Sequence, residues 1–225
     1  MAHTVLPSRS PVHHQLSSLG AQWGQVAQCP IALHFGEPEA EAAAARTLGL
    51  CDQSALPKLG LKGPGAAAWL TRKELKPPKE IYDSGPLPDG GLVMRNGTHE
   101  FFLESGFAAR SVPKLAEALG SARSGVHRVE RQDATFVLCG ERAWEVLAQT
   151  CGVNVRDAEP GRLVLTRVAV VSCGILPQEI DGNVQFRLWV DPSTALYLWE
   201  TLAQITEDLG GRIVGAASCG FPADA

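Results

Sequence analysis

The sequence predicts an α+β fold built from two pseudo-symmetric units, each running strand–helix–strand–strand–helix. Three observations lead there. Apolar runs of strand length recur along the 225-residue chain and alternate with helix-forming stretches. Gly, Ala and Leu stand at offsets 0, 3 and 7 twice, as Gly63, Ala66 and Leu70 and as Gly140, Ala143 and Leu147. Each triplet follows a β run and precedes two strands and a helix, which is the trace of an internal duplication. Offsets 3 and 7 share one helical face, so each short helix lays a small Ala and a large Leu on its sheet.

The elements follow in order. The stretch Met1–Ala32 mixes Pro, Ser, Gln and Gly with weak periodicity, and its first ten residues read as disordered. Glu37–Arg46 is rich in strong helix formers with acids at its start, and Gly49 ends it. Leu50–Ser54 leads into a strand, and Lys58–Lys62 (KLGLK) alternates as a strand does. Gly63-Pro64-Gly65 turns into a helix over Ala66–Leu75, with Pro64 suited to the first helical position. Lys76–Gly91, broken by prolines and paired glycines, reads as a loop. Leu92–Met94 and Glu100–Glu104 flank Asn96-Gly97, a strong hairpin-turn pair. Phe107–Leu119 is the closing helix, stopped by Gly120.

The second unit repeats this order. Ala134–Leu138 is a strand, Cys139-Gly140-Glu141 a turn and Arg142–Gln149 a helix. Arg162–Ser172 reads as one long strand and Val184–Val190 as the next. Asp191-Pro192 caps a helix that runs to Leu209, Gly210-Gly211 stops it, and Arg212–Ala216 forms a last short strand. The resulting division is a disordered tail over 1–10, a first half over 11–125 and a second over 126–225.

Charge excludes several roles. Twenty Lys and Arg against 24 Asp and Glu leave a formal charge of −4, and the longest basic cluster is Arg72-Lys73. Neither nucleic acid nor an anionic membrane surface is expected as a partner. No apolar run approaches the ~18–20 residues of a membrane span. Met1–Ser10 has no apolar middle region of a secretion signal, so a soluble, cytoplasmic protein is expected. The six cysteines form no CxxC pair and no zinc spacing, and read as reduced core residues; no metal site is predicted. Gly60–Gly65 (GLKGPG) lacks the ending of a phosphate loop. Tyr197 and Trp199 lie two positions apart on a helix and point in different directions, so at least one lies outside the innermost core.

An ordered set of residues carries a family resemblance. Pro11, His13, Gly20-Ala21, Pro30, His34-Phe35-Gly36, Arg46, Gly49-Leu50, Asp52, Ser54, Lys58, Gly63, Ala66-Ala67 and Leu70 stand in the order and spacing of the glycine-cleavage T-protein (aminomethyltransferase) family. Phe136–Leu147 and Phe186–Leu202 are similar to two further segments of that family. The resemblance implies its folate-binding fold, without the C-terminal barrel domain that the full T-protein carries. This short form resembles the gamma subunit of heterotetrameric sarcosine oxidase. That likeness implies flavin-containing oxidase subunits as partners, tetrahydrofolate as a ligand, and no covalently bound cofactor.

The same resemblance nominates site residues. Asp89 lies one step from the position of the family acid that faces the reactive folate nitrogen. Leu56 and Tyr82 match wall residues. Arg187 falls where the family has a glutamate that accepts two hydrogen bonds from the pterin edge, while Glu179 and Asp181 in the preceding loop are possible substitutes. A guanidinium only donates, so Arg187 cannot replace that acid, though it could meet a carboxylate. These changes favour an accessory protein that is not catalytic alone. A small tetrahydrofolate-dependent aminomethyltransferase using Asp89 or Glu179, or a folate-binding regulatory protein, remains open.

Overall fold

The computed structural model describes residues 9–120, 125–180 and 182–221. After α1 (His13–Ser18), β1 (Gln22–Val26) and β2 (Cys29–His34) form a separate two-stranded hairpin, followed by α2 (Pro38–Thr47) and β3 (Gly49–Asp52). The first repeat unit is β4 (Lys58–Lys62), α3 (Ala66–Arg72), β5 (Ser84–Pro86), β6 (Leu92–Gly97), β7 (Glu100–Glu104) and α4 (Ser111–Leu119). After β8 (His127–Val129), the second is β9 (Ala134–Cys139), α5 (Ala143–Thr150), β10 (Val164–Val168), β11 (Val171–Ile180), β12 (Asn183–Val190) and α6 (Pro192–Asp208). β13 (Arg212–Ile213) and a 3₁₀ turn, Ala216–Cys219, complete the described chain.

The two main sheets have matching strand orders, β5-β6-β7-β4-β8 and β10-β11-β12-β9-β3-β13. In each, the first strand of the unit pairs antiparallel with the last, β4 with β7 and β9 with β12. The strands that lead into the units are exchanged. β3 immediately precedes β4 but pairs with β9, and β8 immediately precedes β9 but pairs with β4. Strand membership therefore crosses the chain's midpoint in both directions.

The repeated triplet explains how each helix starts. Gly63 and Gly140 have φ of +129° and +103°, a region that disfavours any side chain. A Cβ would lie 2.4 Å from the Gly125 carbonyl oxygen at Gly63, and 2.4 Å from the Thr47 carbonyl carbon at Gly140. Those backbones lead into the exchanged strands β8 and β3, so each glycine admits the strand of the other unit. Ala66, Leu70, Ala143 and Leu147 are fully buried beneath their helices.

Alternation along the strands separates three layers. Phe101 and Leu103 of β7 pack under the helices of the five-stranded sheet, with Leu70 and Leu115. Phe186, Leu188 and Val190 of β12 pack under α5 and α6, with Leu147, Leu198 and Trp199. The intervening residues meet between the sheets, where Met94, Phe102, Leu163, Leu176 and Trp189 form an apolar cluster. Trp199 is 2% exposed and Tyr197 52%, the divergence that their helical spacing predicts.

Several local expectations change. The run Arg162–Ser172 is not one strand: it folds into the β10–β11 hairpin through Ala169 and Val170, at φ +47° and +66°. No Gly or Asn marks that turn, and pairing on both sides overrides the local preference. Ala27 and Gln28 turn the β1–β2 hairpin in the same way, in a stretch where no element was expected. β5 arises within the supposed loop 76–91, and β13 is shorter than the expected strand 212–216. The β6–β7 turn falls at Thr98-His99 rather than Asn96-Gly97, and the register shifts between Arg95 and Gly97. Arg95 braces that turn by donating to the carbonyls of Lys79, Gly97 and Thr98. Of the expected disordered tail, residues 1–8 lie outside the described residues, while Ser10 is buried and its Oγ accepts the Val12 N–H.

Candidate functional site

Lys58 precedes Gly63 by five residues, as Thr135 precedes Gly140 by five, so the two occupy equivalent places in their units. Their cross-strand partners are Glu104 and Trp189. These two equivalent pairs meet between the sheets. The Glu104 carboxylate, 1% exposed, accepts from Thr135 Oγ1 at 2.6 Å and from Trp189 Nε1 at 2.9 Å, both on Oε2. Lys58 Nζ lies 3.4 Å from the same oxygen and also donates to the carbonyls of Ser54 and Leu56. Oε1 accepts from Arg187 Nη1 at 2.7 Å. Burial alone would push the Glu104 carboxyl up. Lys58 first, then Arg187 and the two hydrogen bonds, more than offset this and hold it below the usual carboxylate range.

A cavity of about 230 Å³ opens at one end of this layer, with Arg187, Glu104, Gln178 and Leu56 on its wall. Asp89 borders it too. The Asp89 carboxylate already accepts the backbone N–H groups of Ser111 at 2.8 Å, Arg110 at 3.0 Å and Gly91 at 3.2 Å. It thereby satisfies free donors at the start of α4. Burial pushes its carboxyl up, but hydrogen bonding from Ser111 foremost, then Gly106 and Arg110, leaves it below its ordinary value.

The other nominated residues are distributed unevenly. Leu56 is buried on the cavity wall, and Arg187 is 8% exposed. Glu179 is exposed and off the cavity wall; its neighbours Gln178 and Ile180 line the cavity, because successive strand residues face opposite ways. Tyr82 is also off that wall: its N–H donates to Arg95 and its carbonyl accepts from Leu163, joining the sheet margins. Asp181 lies outside the described residues. The resemblance assigned no site role to Glu104, Thr135, Trp189 or to Lys58, which it matched only as part of its ordered set. The available signal was a charge placed at each end of the short apolar strand pair KLGLK and EFFLE.

A second buried acid behaves oppositely. Asp52 accepts from Ser54 N at 3.1 Å and Oγ at 2.5 Å, yet burial raises its carboxyl above the ordinary value. Cys139 and Cys219 place their sulfurs 3.5 Å apart, and both thiols are pushed well above their normal value. Among the described residues, no group of three or more His, Cys, Asp or Glu side chains converges as a metal site would require.

Two interlocked repeats with a charged layer between their sheets, and a cavity at its end, define a duplicated α+β cradle. The family model described as the GCVT N-terminal domain matches residues 12–220, and the chain belongs to that family. An aminomethyltransferase of Saccharopolyspora erythraea is 23% identical over 93% of this chain and 61% of its own length. The chain thus spans less than two thirds of that relative. Glycine cleavage system aminomethyltransferase T from Bartonella henselae superposes with a TM-score of 0.75 at 19% identity, over 95% of this chain and 61% of that one. A chain of the heterotetrameric sarcosine oxidase from Corynebacterium sp. U-96 gives 0.65 at 18% identity, over 91% of this chain and 97% of its own. At these identities the two structures establish the shared fold. Among the described residues, no helix is long and apolar enough to cross a membrane.

Proposed function

We propose that this chain is an accessory protein of the aminomethyltransferase family, not catalytic alone, acting in the cytoplasm in folate-linked one-carbon or N-methyl amino acid metabolism. Its role would parallel that of the sarcosine oxidase gamma subunit, with flavin-containing oxidase subunits as partners. One observation carries the reading: among the described residues, the cavity has no free acid to grip a pterin. Arg187 stands at the position the resemblance assigns to the family glutamate. Glu104 has both oxygens engaged by Arg187, Thr135 and Trp189, and Asp89 is filled by backbone N–H groups. A pterin edge buried there would leave its donors unpaired at ~1–3 kcal/mol each. Two such losses weaken binding on the order of a hundredfold or more. The described residues therefore do not fit tetrahydrofolate. The likeness to a sarcosine oxidase chain over 97% of that chain's length supports the partner class.

The test is thermal unfolding with tetrahydrofolate and with folinic acid. A ligand at a hundred times its Kd adds ~2.7 kcal/mol, so binding would raise the Tm visibly; no rise is expected. Purification from source cells should bring down a flavin-containing partner. A clear Tm rise with tetrahydrofolate would overturn the reading. The rival, a working tetrahydrofolate-dependent aminomethyltransferase, rests on Asp89 bordering the cavity and requires turnover that Asp89→Ala abolishes.

A further inference from the structure

Both carboxylates on the wall of the cavity beside Glu104 are already engaged, while a donor on that wall is not. A guanidinium carries five N–H donors in a planar fork. Arg187 commits Nη1 to Glu104 at 2.7 Å and Nε to Gln178 Oε1 at 3.3 Å. Among the described residues Nη2 has no hydrogen-bond partner, and Arg187 forms part of the cavity wall. Glu104 is shared between two cations, Lys58 and Arg187, within one buried group. The other acids nearby do not supply the missing anion. Asp89 is held by the α4 backbone, and Asp52 turns its oxygen to Ser54.

Size and wall character narrow the ligand. At about 230 Å³ the space falls below the ~300–1,000 Å³ of sites that take drug-sized ligands. Leu56, Phe107 and Ile180 contribute an apolar wall. We propose that this cavity is a receptor for a small monocarboxylate with a short apolar body, its carboxylate held by the free edge of Arg187. Glu104 and Gln178 hold the guanidinium in place, so Nη2 is pre-organised to donate to a carboxylate oxygen. The inference rests on the reading that the pterin-gripping acid is gone, and it adds what replaced the pterin.

Benzoate and its uncharged isostere benzamide are the probes, read by Tm and by the NMR signal of the Trp189 indole N–H, which donates to Glu104. Benzoate should raise the Tm in a dose-dependent, saturable way and shift that signal; benzamide should do neither. Arg187→Gln should weaken the benzoate response about tenfold or more, as expected on losing a charge-assisted hydrogen bond. Because Arg187 is buried in an ion pair, a second variant guards against misfolding. Ala108 is exposed at the cavity rim, and Ala108→Trp should block entry without touching the Glu104 bonds. Equal responses to benzoate and benzamide, no response to either, or an undiminished benzoate response in a folded Arg187→Gln or Ala108→Trp protein would overturn the proposal. Tetrahydrofolate binding would overturn the functional reading too. Failure of benzoate with no folate binding would remove the carboxylate receptor alone.

Discussion

The two repeat units share an outer face and differ on the inner one. Beneath the helices, Gly63, Ala66 and Leu70 match Gly140, Ala143 and Leu147 in residue type, in burial and in the left-handed glycine that opens each helix. Between the sheets, the equivalents of Lys58 and Glu104 are Thr135 and Trp189: the first unit supplies a buried ion pair, the second a hydroxyl and an indole that solvate it. The outer face answers to one requirement, apolar burial at fixed volume, which the same residues satisfy twice. The inner face lies on the pseudo-two-fold, where two copies of one charge pair would confront each other. A single acid there can be fully satisfied only if its counterpart across the axis donates rather than accepts. Divergence at the axis is what allows both oxygens of one acid to be engaged.

The largest break in this comparison should come from Glu104→Ala. It strands Lys58 and Arg187, 3% and 10% exposed in their side chains, without their shared acid. Losing one partner of a buried ion pair costs about 3–5 kcal/mol, so urea unfolding should show a large fall in midpoint or no cooperative transition. A loss below about 1 kcal/mol would mean that water already reaches the cluster. Next come the matched outer positions. Leu70→Ala and Leu147→Ala should each cost about 2–5 kcal/mol through the cavity left behind. Their values should be similar and add in the double variant, since the helices pack on different sheets. Widely unequal values would show that the repeat is one of backbone only.

The smallest effect concerns pH. Glu104 is held below the usual carboxylate range in the folded state. Its stabilising contribution is therefore complete above the ordinary value of ~4.3 and is lost as pH falls through the lower folded value. Asp52, raised by burial, acts with the opposite sign, but it is common to both proteins and cancels in a difference. The stability gap between wild type and Glu104→Gln should stay constant near neutrality and narrow below about pH 4. A gap that instead shifts in favour of wild type as pH falls from neutrality to about 5 would assign Glu104 the raised value that its burial alone predicts.

Much of the molecule was readable beforehand, and the failures have a common origin. Lys58–Lys62, the Asp191-Pro192 helix start and the repeated glycine–alanine–leucine triplet depend on short-range chemistry, and each stands where expected. The hairpin at Ala169-Val170 escaped because its residues oppose the conformation they adopt, at φ +47° and +66°; long-range pairing of β11 with β12 enforces it. Within the candidate site, Leu56, Asp89 and Arg187 do reach one cavity, whereas Tyr82 and Glu179 do not. A strand's pleat decides Glu179, and that phase depends on a register set by partners distant in the chain.

By itself the sequence determined the repeat, the helix starts and the apolar faces, because these obey periodicities of a few residues. Only the tertiary structure decided that β3 and β8 change places between sheets, and that Glu104 collects Lys58, Thr135, Arg187 and Trp189. Those partners come from three strands up to 85 residues away in the chain. Local preference carries no information about such a meeting. The requirement that a buried charge find every one of its partners acts only once the two sheets have closed on each other.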